Sequence, residues 1–305
     1  MSKSDPASDA FVYDEFAYFA ENMTDLGCEP VRADVARVSH DVDDRAISGL
    51  LWGDDPSIVF VHGSAQNAHT WDTVVLLLGR SVLSVDLPGH GHSGWRDDRA
   101  YSPRNMADDV ASMMSEFAPN ARAVVGMSLG GMVTMALASR HPELVDKLVT
   151  VDVTPGVTRA KAKHIHDFVA GPQDFPSFAE IFERTVQFNP TRSASSLRRG
   201  IIHNALRKSD GSWQWRYDRR GPAPGADVSK PTSPTDLWSD VEAIVADHLL
   251  VRGGADGSVV DDEDVAELAK RRPASRVVVV PDAGHSIQGD QPEALAEIVA
   301  DFVDG

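Results

Sequence analysis

The sequence predicts an α/β protein, a mostly parallel central sheet with helices on both faces. Three observations predict it. Short runs rich in Val, Ile and Leu recur along the chain, at Ser57–Val61, Ser81–Val85, Ala121–Val125, Lys147–Val151, His248–Val251 and Arg276–Val280. Several show no polar alternation, as expected of strands buried on both faces of a parallel sheet. Helical patterns stand between them, and strand–helix alternation of this kind is the signature of a sheet covered on both sides.

The elements follow in order. Residues Phe11 to Met23 carry apolar positions at helical spacing and predict a short helix. Val35–Val42 and Arg45–Trp52, joined by Asp43-Asp44, read as a β-hairpin. Pro103–Phe117 predicts a helix with Ser102 as N-cap and Pro103 at the first helical position. Met132–Arg140 stops before Pro142, Val259–Arg271 has an acidic first turn, and Pro292–Val303 closes the chain.

Residues 155–235 break the rhythm. They lack a strong β run and hold three helical patterns, Thr158–Val169, Ser177–Val186 and Ser193–Lys208. The stretches Gly221-Pro222-Ala223-Pro224-Gly225 and Lys230-Pro231-Thr232-Ser233-Pro234 read as connecting loop. The domain expectation is therefore one catalytic domain from 1–154 and 236–305, with 155–235 as a helical insertion. Charge supports a separate segment: 155–235 holds 13 Lys/Arg and 7 Asp/Glu, a local +6, within a chain of net −17.

Composition narrows the function classes. At 305 residues a compact chain hides roughly three quarters of its unfolded surface, so it needs neither disulfide nor metal to hold a core. The net charge of −17 repels nucleic acid and anionic membrane, so neither is expected as a partner. The single cysteine, Cys28, fits a reducing compartment. No apolar run approaches the ~20 residues of a membrane helix, and Met1 to Asp9 lacks the features of a signal peptide. The expectation is a cytoplasmic protein that acts on a small molecule; nothing in the sequence specifies its oligomeric state.

The chemistry concentrates in Gly126-Met127-Ser128-Leu129-Gly130-Gly131. It follows an apolar run and opens a helix, the strand–turn–helix setting of a nucleophile elbow, with Ser128 at the tip of the turn. A serine hydroxyl needs a base. His285, in the loop after the last strand, is the histidine whose position brings it over the sheet's carboxyl edge. A carboxylate must fix the tautomer of that histidine. Asp256, after the strand ending at Val251, is the preferred acid; Asp152, after Lys147–Val151, is its competitor. A developing oxyanion needs backbone donors. The N–H of Leu129 is one, and the N–H of Ser64, with Ala65 beside it as the alternative, is the other.

These motifs resemble the α/β-hydrolase superfamily. Four match in order: the His62-Gly63 turn, the run Asp86-Leu87-Pro88-Gly89-His90-Gly91-His92-Ser93, the Gly126–Gly131 elbow, and Gly253–Asp256 with Gly284-His285. The resemblance covers about Pro56–Thr154 and Asp236–Gly305. It implies that 155–235 is the family's helical cap, or lid. A serine at the elbow separates the chain from the epoxide hydrolases and haloalkane dehalogenases of that superfamily, whose elbow carries aspartate.

Other signals read as structural. His90 and His92 lie two apart on a turn with no obvious third ligand, and His164 and His166 fall on different faces of a helix, so no metal is expected. The run Asp261-Asp262-Glu263-Asp264 opens a helix, where negative charge suits the dipole. Trp213, Trp215 and Tyr217 alternate at period two and read as a short strand or edge that packs the cap. The leading function is a cofactor-independent serine hydrolase acting on an ester or similar activated carbonyl. The rivals are a C–C bond hydrolase of the meta-cleavage-product type, a non-enzymatic small-ligand receptor on the same fold, and cofactor-free haloperoxidation as a side activity. The basic insertion has two readings, docking onto an acidic catalytic domain, which is preferred, or recruitment of an anionic substrate by Arg159, Lys161, Lys163, Arg198 or Arg199.

Overall fold

The hairpin forms where expected: β1 (Val35–Val42) and β2 (Arg45–Trp52) pair antiparallel, with Val42 opposite Arg45. Asp43 takes a left-handed turn at φ 55°, a conformation that aspartate tolerates better than most residues. The computed structural model describes residues 5–7, 11–29, 33–189, 192–220 and 234–305. The loop stretches 221–225 and 230–233 therefore lie outside the described residues, as do parts of the N-terminal segment.

The remaining strands are β3 (Ile58–Val61), β4 (Val82–Val85), β5 (Ala123–Met127), β6 (Lys147–Val151), β7 (Asp174–Phe175), β8 (Ala205–Arg207), β9 (Trp213–Trp215), β10 (Asp247–Gly253) and β11 (Arg276–Val280). Eight of them form one sheet in the order β1-β2-β4-β3-β5-β6-β10-β11. The first two pairings, β1 with β2 and β2 with β4, are antiparallel; the rest are parallel.

The helices are α1 (Phe19–Asp25), α2 (Asp72–Leu78), α3 (Pro103–Phe117), α4 (Leu129–Arg140), α5 (Lys163–Val169), α6 (Phe178–Phe188), α7 (Ala194–Asn204), α8 (Trp238–Ala243), α9 (Asp262–Arg271), α10 (Ile287–Asp290) and α11 (Pro292–Asp304). Two buried cores explain the uninterrupted apolar runs. Along β3, Val59 and Val61 enter the core under α3, α4 and α8, while Ile58 and Phe60 enter the core under α2 and α11. A strand whose two faces are both covered leaves few positions for a polar residue. The edge strand β11 departs from this: Val277, Val278 and Val279 are partly exposed.

The caps work as their residue types predict. Ser102 accepts the N–H of Asn105 at the start of α3, with Pro103 in the first turn. Asp261 and Asp264 form a capping box, so α9 begins at Asp262; Val259 and Val260, expected inside it, are buried in the loop before it.

Residues from Pro155 onward leave the sheet after β6, and the chain returns to it at β10. Within this insertion α5 and α7 are shorter than the sequence patterns, whereas α6 runs two residues past its pattern, to Phe188. Residues 205–207 leave the expected third helix to pair with β9, which also pairs with β7. Trp213 and Trp215 thus sit on a strand, and with Tyr217 they are buried against Phe175, Ile181 and Ile201 in a core that belongs to the insertion. The alternation of aromatic residues at period two is accounted for by packing.

The N-terminal segment differs most. Only Phe19–Asp25 is an α-helix, whereas the sequence predicts one over Phe11–Met23. Residues 11–18 instead thread between the insertion and the sheet. Phe11 meets Trp213 at 5.4 Å between ring centres, and Tyr13 Oη lies 3.0 Å from His203 Nδ1. Glu15 contacts both Arg37 and His69. Beyond them, Arg199 of α7 pairs with Asp25 at 2.7 Å and Arg198 with Glu21 at 3.4 Å. These tertiary contacts outweigh a weak local helix preference.

Candidate active site

The register of the parallel strands builds the site. Met127 of β5 pairs with Val151 of β6, so Ser128 and Asp152 leave adjacent strand ends side by side. Both residues turn off the sheet in the left-handed region, with φ 52° and 47°. Such backbone is uncommon outside glycine and costs energy that the surroundings must offset. The Ser128 N–H donates to Val151 O at 3.2 Å, and the Asp152 N–H donates to Val251 O at 2.7 Å, which ties each turn to the neighbouring strand. Helix α4 then starts at Leu129. Gly130 allows it to press on β3: a Cβ there would stand 2.2 Å from Val61 O.

Asp152, and not Asp256, meets His285. Asp152 Oδ2 accepts from His285 Nδ1 at 2.9 Å, and its carboxylate is fully buried. Three more donors hold it: Gly253 N–H at 3.0 Å, Ser258 Oγ–H at 2.6 Å and Val259 N–H at 2.9 Å. This corrects the sequence expectation. The loop after β10 curls back so that Ser258 and Val259 serve Asp152, and this turns Asp256 outward, where it is exposed. The expected acid's loop is part of the site, but it supplies donors rather than the carboxylate. Nothing in the sequence marks Ser258 and Val259, because a hydroxyl and an amide carry no distinctive spacing.

With Nδ1 committed to Asp152, His285 Nε2 is left buried and without a partner among the described residues. That is the nitrogen a general base uses. Around it, the turn after β3 approaches the elbow closely. A Cβ on Gly63 would lie 3.2 Å from Ser128 Cβ and 2.5 Å from Met127 Sδ. His62 shapes this turn from a fully buried position. Its Nδ1 lies 2.7 Å from Gly63 O, and Leu87 N–H donates to its Nε2 at 2.9 Å. Burial drives its pKa down to about 3, so the ring is neutral and Nδ1–H is the donor to Gly63 O.

The Gly63 N–H is taken by Gln66 Oε1 at 3.0 Å. The next amide, Ser64, sits in an exposed turn, and Ala65 follows with φ 59° and its carbonyl bound by Asn204 of α7. The Leu129 N–H stands at the first turn of α4, where no intrahelical acceptor exists. Gln66 is a further residue that sequence reasoning missed: it removes Gly63 from the possible oxyanion donors.

The insertion reaches this edge of the sheet. Lys161 pairs with Asp261 at 2.7 Å and Asp264 at 2.8 Å, which anchors the start of α5 beside the loop that serves Asp152. Burial and the neighbouring His285 lower the pKa of His164 on α5. Of the basic residues named for substrate recruitment, Lys161, Arg198 and Arg199 dock the insertion, Lys163 pairs with Asp167 in its own helix, and Arg159 is exposed.

One group among the described residues brings three possible metal-ligand atoms within 4.8 Å of one another: His69, Asp72 and His203. Its geometry suits hydrogen bonding better than coordination. The two imidazoles stack at 3.8 Å with only 13° between their planes, so their in-plane lone pairs run parallel and do not converge. His69 also spends both nitrogens, Nδ1 on Asp72 at 2.9 Å and Nε2 on Glu15 at 3.0 Å. Neither His90 nor His92 belongs to this group. His90 Nδ1 lies 3.1 Å from Pro88 O, and the His92 N–H donates to Asp86 at 3.0 Å.

Burial opposes a charge on His69, but Asp72 and Glu15 outweigh it and raise its pKa to about 9. Burial and the charge on His69 push His203 well below its usual value. The stack is therefore one imidazolium on one neutral ring. A histidine whose folded pKa lies above its unfolded value stabilises the fold below the unfolded pKa of 6.5 and loses that contribution as pH rises through about 9. The expected outcome is a fall of about 3 kcal/mol in unfolding free energy between pH 6.5 and 10, read by urea titration. A flat profile over that window would show that His69 is not charged.

The sequence model of the Alpha/beta hydrolase family matches residues 58–298. The chain is 44% identical over 299 residues to esterase Rv0045c of Mycobacterium tuberculosis, covering 95% of this chain and 96% of that one. The crystal structure of that esterase superimposes with a TM-score of 0.83, covering 96% of this chain and 98% of the other. Similarity at 27% identity extends to the sn-1-specific diacylglycerol lipase ABHD11 of Mus musculus, over 83% of each chain. The crystal structure of E-2-(acetamidomethylene)succinate hydrolase shares the fold, with a TM-score of 0.76 at 23% identity, covering 89% of this chain and all of that one, 100%.

Proposed function

The chain belongs to the alpha/beta hydrolase family, and from that premise we propose that it is a serine esterase whose triad is Ser128, His285 and Asp152. The observation that carries this reading is the orientation of His285. Its Nδ1 is held by a buried carboxylate, while Nε2 is unpartnered at the edge of the sheet where Ser128 is displayed.

The mechanism follows from these positions. Asp152 fixes the tautomer with the proton on Nδ1 and favours the imidazolium that forms. His285 Nε2 takes the proton of Ser128 as Oγ attacks the ester carbonyl. The N–H groups of Leu129 and Ser64 hold the resulting oxyanion, with Ala65 as the alternative to Ser64. The imidazolium protonates the leaving alcohol, an acyl-Ser128 remains, and water activated by His285 releases the acid. No cofactor enters any of these steps.

Residues 155–235 act as the cap over a catalytic domain formed by 1–154 and 236–305; its own small core and its anchor at Lys161 support that division. Such a cap excludes water and selects substrate. The single Cys28, free in the structure, suits a cytoplasmic protein. Among the described residues, no helix is long and apolar enough to cross a membrane.

A fluorophosphonate probe tests the reading directly. It should label Ser128 and block turnover of short p-nitrophenyl esters in parallel. Ester turnover also separates an esterase from a ligand receptor on the same fold. A protein that neither reacts with the probe nor turns over such esters is not the enzyme proposed.

A further inference from the structure

Six basic side chains of the insertion, Lys161, Lys163, Arg198, Arg199, Lys208 and Arg220, each face a carboxylate. Arg192 does not. It lies just before α7, and its side chain donates a single hydrogen bond among the described residues, from Nη2 to Ser196 Oγ at 2.7 Å. Its Nε is buried without an acceptor. The nearby Asp290 acts on it through its field, and its Oδ2 accepts from the Gly284 N–H at 3.0 Å.

The place of this guanidinium is specific. It lies against Gly289 of α10: a Cβ built there would stand 2.5 Å from Arg192 Nη2, 2.6 Å from Cζ and 3.0 Å from Nη1. Gly289 lies four residues beyond His285, in the short helix that follows it. Its N–H donates to Ser286 O at 2.8 Å, which fixes that turn. A residue of the insertion thus sets a positive charge against the short helix that follows His285, in the room that the missing side chain of Gly289 leaves.

Burying an ion without a counter-ion is costly, and burial lowers the pKa of Arg192 accordingly. The cost is offset when a ligand supplies the missing anion. Arginine is suited to that task, because its planar fork matches the two oxygens of a carboxylate. We propose that Arg192, seated on Gly289, forms an anion subsite that binds a carboxylate carried by the ester substrate. This rests on the esterase reading above and adds the substrate class to it: acidic esters, in which a second carboxyl group is free.

Two esters of equal chain length, p-nitrophenyl hemiglutarate and p-nitrophenyl pentanoate, test the proposal. The readout is the ratio of their kcat/KM values. Arg192→Gln should lower the hemiglutarate-to-pentanoate ratio about tenfold to a hundredfold, as expected for losing a charged hydrogen-bonding partner. The change should fall mainly on KM, and Arg192→Lys should restore part of it. Gly289→Ala keeps the charge but displaces the guanidinium, so it should move the ratio the same way. A ratio unchanged in Arg192→Gln and in Gly289→Ala would make Arg192 a packing residue and overturn the proposal.

Binding of free glutarate, followed by calorimetry, decides the matter without turnover. The wild-type protein should bind it and Arg192→Gln should bind it at least about tenfold more weakly. If the wild-type protein turned over neither ester, the esterase reading would fail, and glutarate binding would still judge the subsite. Equal glutarate affinity in both proteins would overturn it.

Discussion

Asp152→Asn should lower ester turnover by about 10⁴-fold, while Asp256→Asn should leave it within about threefold. The contrast follows from the hydrogen bonds. Asp152 Oδ2 accepts from both Val259 N–H and His285 Nδ1, and Oδ1 accepts from Gly253 N–H and Ser258 Oγ. An asparagine amide at this position must point its NH₂ at one of these pairs. Facing His285, it donates to Nδ1, moves the ring proton to Nε2 and removes the base. Facing Gly253 and Ser258, it sets donor against donor at a buried site. Asp256 is exposed and has no such partners. Initial rates on a p-nitrophenyl ester, together with thermal melts to confirm folding, measure both variants. Comparable loss in the two would return the acid's role to the β10 loop.

Ser128→Ala should remove turnover by about 10⁵-fold or more and abolish fluorophosphonate labelling. No other hydroxyl or thiol on the described sheet edge is displayed on an elbow of this kind. Alanine meets the same left-handed backbone at φ 52° as serine does, so folding stability should change little. Intact labelling of the Ser128→Ala protein would mean that another nucleophile carries the reaction.

Much of this is legible in the sequence alone. The β-hairpin, the six apolar strands, Ser102 as a cap and the elbow at Ser128 rest on local patterns: period, turn chemistry and glycine spacing. The carboxylate that meets His285 was not legible. Asp152 and Asp256 both follow a parallel strand, and the sequence carries no measure of which loop folds inward. The choice depends on Ser258 and Val259 reaching back to Asp152, a contact across two strands. Adjacent register was the signal that could have found it, since Met127 and Val151 pair and their successors must emerge together. The helix expected at Phe11–Met23 fails for a related reason. Its apolar residues are spent on Trp213, His203 and Trp52 in three different parts of the fold, which no straight helix could reach.

The N-terminal strand of chain over residues 11–25 has a thermodynamic meaning as well. It touches the insertion at Trp213, His203, Arg198 and Arg199, and the sheet-bearing part of the chain at Arg37, His69 and Trp52. An insertion joined to its host only by two connections could melt alone, with its own heat-absorption peak. Here a third piece of chain, remote in sequence from the insertion, has to detach before either body loosens. Melting of one therefore drags on the other, and the two should absorb heat in a single calorimetric transition whose van't Hoff and calorimetric enthalpies agree. Removal of the first 25 residues would split that peak in two.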